Sequence, residues 1–176
     1  CLVCGGPLAK GEECLCTRCN IGLPRTGYHR IKNNLVEQLF LGKIPLERAT
    51  AYFFYQRGSD FCHIIHQLKY GGQKEIGEAM GRYMAAELLS SGFFEGVDVI
   101  VPVPLHKKKQ KLRGYNQSEW IARGISAITS IPVETSGVVR EKNTETQTRK
   151  SLFERWENVD GIFHLVTPEF FVGKHI

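Results

Sequence analysis

The sequence predicts an α/β protein in which a mostly parallel sheet is flanked by helices and preceded by a small cysteine-rich segment. After residue 60, short β-branched runs alternate with stretches of helical periodicity, which is the pattern of β–α–β units. Five cysteines lie within the first 19 residues. We therefore divide the chain into a metal-binding segment (residues 1–27), a linker with a hairpin-like part (28–58) and an α/β domain (59–176).

Composition and charge restrict the classes of function. The chain has 176 residues, which suits one domain with a small appendage. Its net charge of +5 is a mild excess that favours a local anion site over a surface that binds polyanions everywhere. No apolar run approaches the roughly 20 residues that span a bilayer, and no signal peptide is visible. We expect no membrane insertion and a cytoplasmic location.

The cysteines form two C-x-x-C pairs that can share one metal ion. Cys1 with Cys4 and Cys16 with Cys19 would complete a tetrahedral site for a structural zinc ion. Two disulfides or a redox-active pair are alternatives, but nothing marks the chain as secreted, and two pairs in so short a span favour a metal. Cys14 competes with Cys16 for the third position; we prefer Cys16 because it restores the two-residue gap.

The stretch from residue 28 to residue 89 contains several recognisable elements. A short helix is expected around residues 35–40, and the aromatic sequence ATAYFFYQ at 49–56 predicts a strand or hairpin arm. Apolar residues at helical spacing predict helices at 61–70 and 74–89, with glycines after each of them.

A strand, a basic segment and a helix follow one another in the centre of the chain. The alternating valines at 97–103 predict a buried strand that ends near Pro102 and Pro104, since proline cannot donate to a sheet ladder. Six basic side chains follow within eight positions, and Asn116 with Glu119 resembles a capping box that begins a helix. Because helix N-termini and strand ends favour anions, we predict a phosphate site here.

The last part of the chain alternates apolar and polar stretches. Strands are predicted at residues 133–139 and 159–166, with a helical turn at 153–158 and the start of another strand at 173–176. The sequence REKNTETQTRKS at 140–151 lacks periodicity, and its composition alone predicts a solvated loop.

These stretches together resemble a known family. The sequence VPVPLHKKKQKLRGYNQSEWIARGI looks like the central motif of the ComF family, which is similar to type I phosphoribosyltransferases. The resemblance extends to the paired cysteines, to HQLKYGGQKEIG and to TETQTRKSLFERWENVDGIF, and so covers nearly the whole chain. It implies a phosphoribosyltransferase-like sheet, a site for phosphoribosyl pyrophosphate (PRPP) with Mg²⁺, and a role in natural competence, the uptake and use of external DNA.

The resemblance also assigns site residues. The segment after the first core strand would be the pyrophosphate loop, and the expected PRPP or pyrophosphate contacts are Leu105, His106, Lys107, Lys108, Lys109, Arg113, Tyr115 and Asn116. We favour Arg113 among the cations because a guanidinium can bind two phosphate oxygens at once. The polar segment would be the mobile loop that closes over PRPP, with Thr146, Gln147 and Arg149 reaching the substrate.

One departure and two alternatives accompany this interpretation. The family carries a strand with two aspartates and a Thr-Thr-Gly loop; this sequence lacks them and ends at VGKHI, where that strand would start. We expect a piece truncated at the C-terminus that is not competent for PRPP chemistry alone; transferase activity and the acceptor stay open.

The first alternative is a chain that binds single-stranded DNA through the basic segment and Tyr115 or Trp120, beside a competence helicase. The second is a protein scaffold.

Overall fold

The computed structural model describes residues 1–143 and 161–176. Helices predominate in these residues, with a 3-10 turn at Tyr28–Arg30. The helices are α1 (Thr17–Ile21), α2 (Leu35–Gln38), α3 (Cys62–Tyr70), α4 (Glu75–Leu89), α5 (Lys107–Arg113), α6 (Gln117–Thr129) and α7 (Pro168–Phe171), and the strands are β1 (Val138–Arg140) and β2 (Phe163–Leu165). In this described part of the chain, no helix has both the length and the apolar character needed to cross a membrane.

One hydrophobic core joins the cysteine-rich segment to helices α3 and α4. The predictions of helices at 61–70 and 74–89 are confirmed to within one residue at each end, because their apolar residues do recur on one buried face. The buried members of the core are Cys14, Leu15, Leu23, Ile64, Leu68, Ile76, Ala79, Met80 and Tyr115. The cysteine-rich segment therefore packs directly onto the helices that follow it.

Helices α4 and α6 pack so closely that glycine is required at their contact. A Cβ atom at Gly81 would lie 2.2 Å from the carbonyl oxygen of Ile121, and one at Gly124 would lie 2.1 Å from that of Glu78. Both glycines are helical and buried. The absence of side chains therefore lets the two backbones approach each other directly.

The described residues do not show the predicted mostly parallel sheet. Their one regular sheet is the antiparallel pair of β1 and β2, in which Val139 lies opposite His164. A single parallel bridge joins Ile100 to Val133, where the Ile100 N–H donates to the Pro132 carbonyl at 2.9 Å. The prolines after Ile100 have no N–H, which explains why the predicted strand at 97–103 forms no continuous ladder.

The predicted strands nearby are shorter than the sequence indicated or form a different contact. The strand predicted at 133–139 is reduced to β1 because the Glu134 carboxylate accepts the N–H groups of Ser136 and Gly137, at 2.6 and 2.9 Å, in a turn. The strand predicted at 159–166 is β2 in the described residues. At the chain end, His175 lies beside Asp98 and accepts its N–H at 2.9 Å through the backbone carbonyl.

The linker between the cysteine-rich segment and α3 is organised by Asn34. Its side chain accepts the N–H groups of Val36 and Glu37, and the Glu37 carboxylate returns to the Asn34 N–H, so α2 begins with a full capping box. The short helix expected here is thus confirmed. Residues 49–56 form only an isolated antiparallel bridge, between Phe53 and Arg25, in place of the predicted strand.

Candidate functional site

The four cysteines selected by their spacing meet at one point. The sulfur atoms of Cys1, Cys4, Cys16 and Cys19 all lie within 4.8 Å of one another, and the Cys4 and Cys16 sulfurs are 3.8 Å apart. Four thiolates at about 2.3 Å from a tetrahedral zinc ion would be separated by about 3.8 Å. All six cysteines of the chain have free thiols. The cluster therefore has the donor set and spacing of a four-cysteine metal site.

Local backbone hydrogen bonds form the two turns that present these thiols. The Gly5 N–H donates to the Cys1 carbonyl at 2.9 Å, and the Asn20 N–H donates to the Cys16 carbonyl at 2.8 Å. Cys16 lies directly before the first residue of α1, and its partner Cys19 lies within that helix. Each C-x-x-C sequence is therefore folded back on itself, which brings its two sulfurs to the same side.

Glu12 fixes the loop between the two turns. Its carboxylate accepts the Ala9 N–H at 2.7 Å, and from Thr17 both the N–H at 2.5 Å and the hydroxyl at 2.6 Å. These bonds, led by the one from the Thr17 hydroxyl, lower the pKa of Glu12. An ionised Glu12 thus connects the loop to the first residue of α1.

The thiols differ in their electrostatic surroundings. Hydrogen bonds from the Gly6 backbone and then from the Cys19 and Cys16 thiols lower the pKa of Cys4, whereas burial and the same neighbours raise that of Cys19 to about 11. Burial also raises the pKa of Cys14 to about 11. Cys14 lies in the core as a neutral thiol, apart from the cluster, so the structure selects Cys16 as the third member.

The basic segment is a helix, and the prediction of a loop there is wrong from Lys107 onward. The His106 ring nitrogen Nδ1 accepts the Lys108 N–H at 3.2 Å at the start of α5, and Gly114, with φ of 83°, ends it. The sequence KKKQKLR consists of good helix formers without a β-branched residue, which favours this outcome. Most backbone N–H groups of the segment are therefore used inside the helix, and its side chains are what it offers to an anion.

The cations of α5 fall into two groups. Lys107, Lys108 and Lys111 are exposed. Lys109 is half-buried, and its pKa is lowered first by burial and then by the charges of Arg140 and Arg113. Lys109 and Arg113 of α5 and Arg140 of β1 therefore act on one another through their charges.

Arg113 is the best positioned of these cations. Its guanidinium donates to the Gln117 side-chain oxygen at 3.0 Å and lies 5.5 Å from the centre of the Tyr70 ring. Tyr70 ends α3 and belongs to the KYGG sequence that resembles the ComF family. Sequence reasoning did not connect Tyr70 or Gln117 with Arg113.

Tyr115 and Asn116 have anchoring roles in the structure. The buried Tyr115 hydroxyl donates to the Leu68 carbonyl at 2.6 Å. The Asn116 side chain accepts the Ser118 N–H at 3.1 Å, which confirms that it caps α6, and donates to the Val103 carbonyl at 3.1 Å. That Tyr115 and Asn116 bind phosphate stays a prediction. Glu119, expected to complete a capping box, instead forms an ion pair with Arg123 at 2.7 Å.

The remaining predicted contacts lie at the edge of the site or beyond it. Leu105 and His106 are half-buried directly before α5. Thr146, Gln147 and Arg149, predicted on the mobile loop, lie outside the described residues. The helical turn predicted at 153–158 also lies there.

Comparison with known proteins relates the chain to one group. No protein-family model matches it, and no solved structure does. It is 28% identical to the DNA utilization protein YhgH of Escherichia coli K12, over all of this chain and 81% of that protein. It is 37% identical over 72 residues to Competence protein F of Haemophilus influenzae, covering 41% of this chain and 31% of that protein.

These similarities identify the class of protein to which the chain is related. The four-cysteine segment and the basic helix belong to a chain that is similar along its length to a DNA utilization protein and over 72 residues to Competence protein F, and the predicted resemblance to the ComF family is confirmed. Among individual relatives, the DNA utilization protein YhgH of Salmonella typhimurium is 30% identical over 108 residues, which cover 60% of this chain and 48% of that protein.

Proposed function

We propose that this chain is a ComF-like protein that binds PRPP or pyrophosphate beside helix α5 and acts in the uptake or use of external DNA, with a structural zinc ion in its four-cysteine site. The observation that carries the phosphate part is the fixed guanidinium of Arg113 at the end of a helix rich in exposed lysines. The DNA part is supported by the relatives, which are named DNA utilization protein and Competence protein F.

The proposed zinc ion has a structural task. Four protein ligands leave no open position for a substrate, which is the arrangement of structural rather than catalytic zinc. Residues 1–27 are too few for a core of their own, and they pack Leu15 and Leu23 against α3 and α4. Free thiols throughout the chain fit a reducing compartment such as the cytoplasm.

The phosphate site is proposed to work through side chains. Arg113 is held from two sides, by Gln117 and by the ring of Tyr70, so little freedom remains for it to lose on binding. A guanidinium in this state can donate two parallel hydrogen bonds to a phosphate. Lys109 and Arg140 add positive charge in the same region, and Mg²⁺ would accompany PRPP as its usual counter-ion.

The proposed fold around this site is that of a type I phosphoribosyltransferase. The parallel bridge between Ile100 and Val133 supports it, because α5 and α6 connect these two residues as a crossover would. The site residues name no acceptor, so the proposal concerns binding of PRPP or pyrophosphate, and transferase activity is a separate question.

Calorimetry of the full-length protein with Mg-PRPP and with Mg-pyrophosphate tests the proposal. Arg113→Ala is expected to weaken binding by about 1.5–3 kcal/mol, the range for hydrogen bonds to a charged group. Arg123→Ala is the matched control, since it removes the same charge from an exposed arginine already paired with Glu119. Lys108→Ala should also have little effect because that lysine is exposed. Failure of the wild-type protein to bind either ligand at millimolar concentration would refute the phosphate site.

A further inference from the structure

The aromatic residue that the structure leaves open to a nucleic acid differs from those chosen from the sequence. Tyr115, a candidate from sequence, is buried and bonded to Leu68. Trp120, the other candidate, is half-buried against the core, with the Lys74 ammonium 4.6 Å and the Arg123 guanidinium 5.0 Å from its ring centre. Tyr70, in contrast, is 63% exposed at the end of α3. The accessible ring in this region is therefore one that sequence reasoning did not select.

Tyr70 lies within a cationic surface. Arg113 lies 5.5 Å from its ring centre, and the His66 ring lies 5.1 Å away, tilted by 52°. Arg113 ends α5, whose three exposed lysines occupy the same helix, and Lys69 is exposed next to Tyr70. An aromatic ring that keeps most of its surface open among fixed positive charges matches both components of a nucleotide, the base and the phosphate.

We propose that Tyr70 is a stacking platform for one base of single-stranded DNA, while Arg113 and the exposed lysines of α5 contact the adjacent phosphates. The charge of α5 complements the DNA backbone, and the ring accepts any base because every base has a π-face. A duplex cannot use this ring in the same way, since its bases are already stacked on one another. The proposal rests on the proposed function insofar as α5 is the anion-binding element.

Fluorescence anisotropy with a labelled oligothymidine and a labelled hairpin duplex, both on the full-length protein, tests the platform. Tyr70→Leu is expected to weaken binding of the single strand about 5- to 150-fold, which corresponds to removal of one base–aromatic stack. Tyr70→Phe should retain the affinity, because the ring and not the hydroxyl is used. Circular dichroism verifies that each variant is folded.

Tyr55→Leu provides the matched control. Tyr55 is 66% exposed, similar to Tyr70. It interacts with Cys62, which is the first residue of α3, whereas Tyr70 is the last residue of that helix. The first and last residues of this helix are about 12 Å apart along its axis. Tyr55→Leu should therefore bind the single strand as the wild-type protein does. Lys111→Ala should reduce the slope of log affinity against log salt by about 0.7, the change for one phosphate that the lysine no longer neutralises.

Three results would overturn the platform. These are equal affinity of wild type and Tyr70→Leu for the single strand, an equal weakening in Tyr55→Leu, and no preference of the wild type for the single strand over the duplex. The pyrophosphate titration is a separate measurement on the wild-type protein. Pyrophosphate binding without an effect of Tyr70→Leu refutes the platform alone, while a Tyr70 effect without pyrophosphate binding supports it and refutes the proposed phosphate function.

Discussion

Replacing Gly124 by alanine tests the close packing of α4 against α6. An alanine Cβ at this position would lie 2.1 Å from the carbonyl oxygen of Glu78, 2.9 Å from its carbonyl carbon and 3.0 Å from the Arg82 nitrogen. All three atoms belong to the backbone of α4, so no side-chain rotation can relieve the overlap. The two helices must move apart by more than about 1 Å before the contact becomes an ordinary one.

The size of the effect follows from two opposing contributions. Overpacking a well-packed core costs about 1–3 kcal/mol and sometimes more, and a contact with backbone belongs at the upper end of that range. Alanine returns up to about 1 kcal/mol through its higher helix propensity. We expect Gly124→Ala to lower the free energy of unfolding by about 2 kcal/mol. For a chain of this size, that corresponds to a fall of about 4–8 °C in Tm.

Urea unfolding followed by circular dichroism measures the difference, with Gly77→Ala as the matched control. Gly77 is also a buried glycine of this interface, on α4, but its added Cβ would meet side-chain atoms of Trp120 and Leu68 at 3.0 and 3.1 Å. The Leu68 atom is a terminal methyl that can rotate away, and the overlap with the Trp120 Cβ is only a few tenths of an ångström, so Gly77→Ala should cost much less. If Gly124→Ala is as stable as Gly77→Ala, the helices do not meet through their backbones.

Two further predictions concern the metal and the pH. Element analysis should find about one zinc ion per chain; Cys16→Ser should lose it and Cys14→Ser should keep it, so equal zinc contents in these variants would contradict the assigned ligands. Burial lowers the pKa of His29, and two nearby arginines lower it further, although Glu87 acts in the opposite direction. Because folding disfavours the charged imidazole, the stability present above about pH 6.5 should fall as the pH drops below that value. His29→Phe should remove this part of the pH dependence of the free energy of unfolding, and an unchanged slope would refute the reasoning.

The parts of the structure that sequence predicted depend on neighbours along the chain. Helices α3 and α4 follow from apolar periodicity within one segment, and Asn116 caps α6 through a bond to a residue two positions away. The four-cysteine cluster is equally local, since each pair is brought together by a single turn. We predicted a loop for KKKQKLR from its position between a strand and a helix, whereas its residues have the intrinsic preference for the helix that the structure shows.

The parts that sequence did not predict depend on contacts between distant segments. Strand pairing is such a contact, and in the described residues it is limited to the short pair of β1 and β2 and to isolated bridges at Ile100 and Phe53. The approach of Tyr70 to Arg113 is another, because 43 positions separate them in the sequence. The periodicity of apolar residues does not indicate contacts between such distant positions. The sequence also does not show whether a tyrosine at the end of a helix has its ring exposed to solvent.

The shared core connects the cysteine-rich segment at one end of the chain to the basic helix in its middle. Leu15 and Leu23, which flank the second cysteine turn, share one core with Ile64 and Leu68 of α3. The Leu68 carbonyl accepts the Tyr115 hydroxyl at 2.6 Å, which holds the chain between α5 and α6 against the same helix. Helix α3 is therefore packed against the cysteine-rich segment and is also hydrogen-bonded to Tyr115, which follows the basic helix. Since α3 also carries the ring that faces Arg113, the metal would stabilise the position of the guanidinium without touching a ligand.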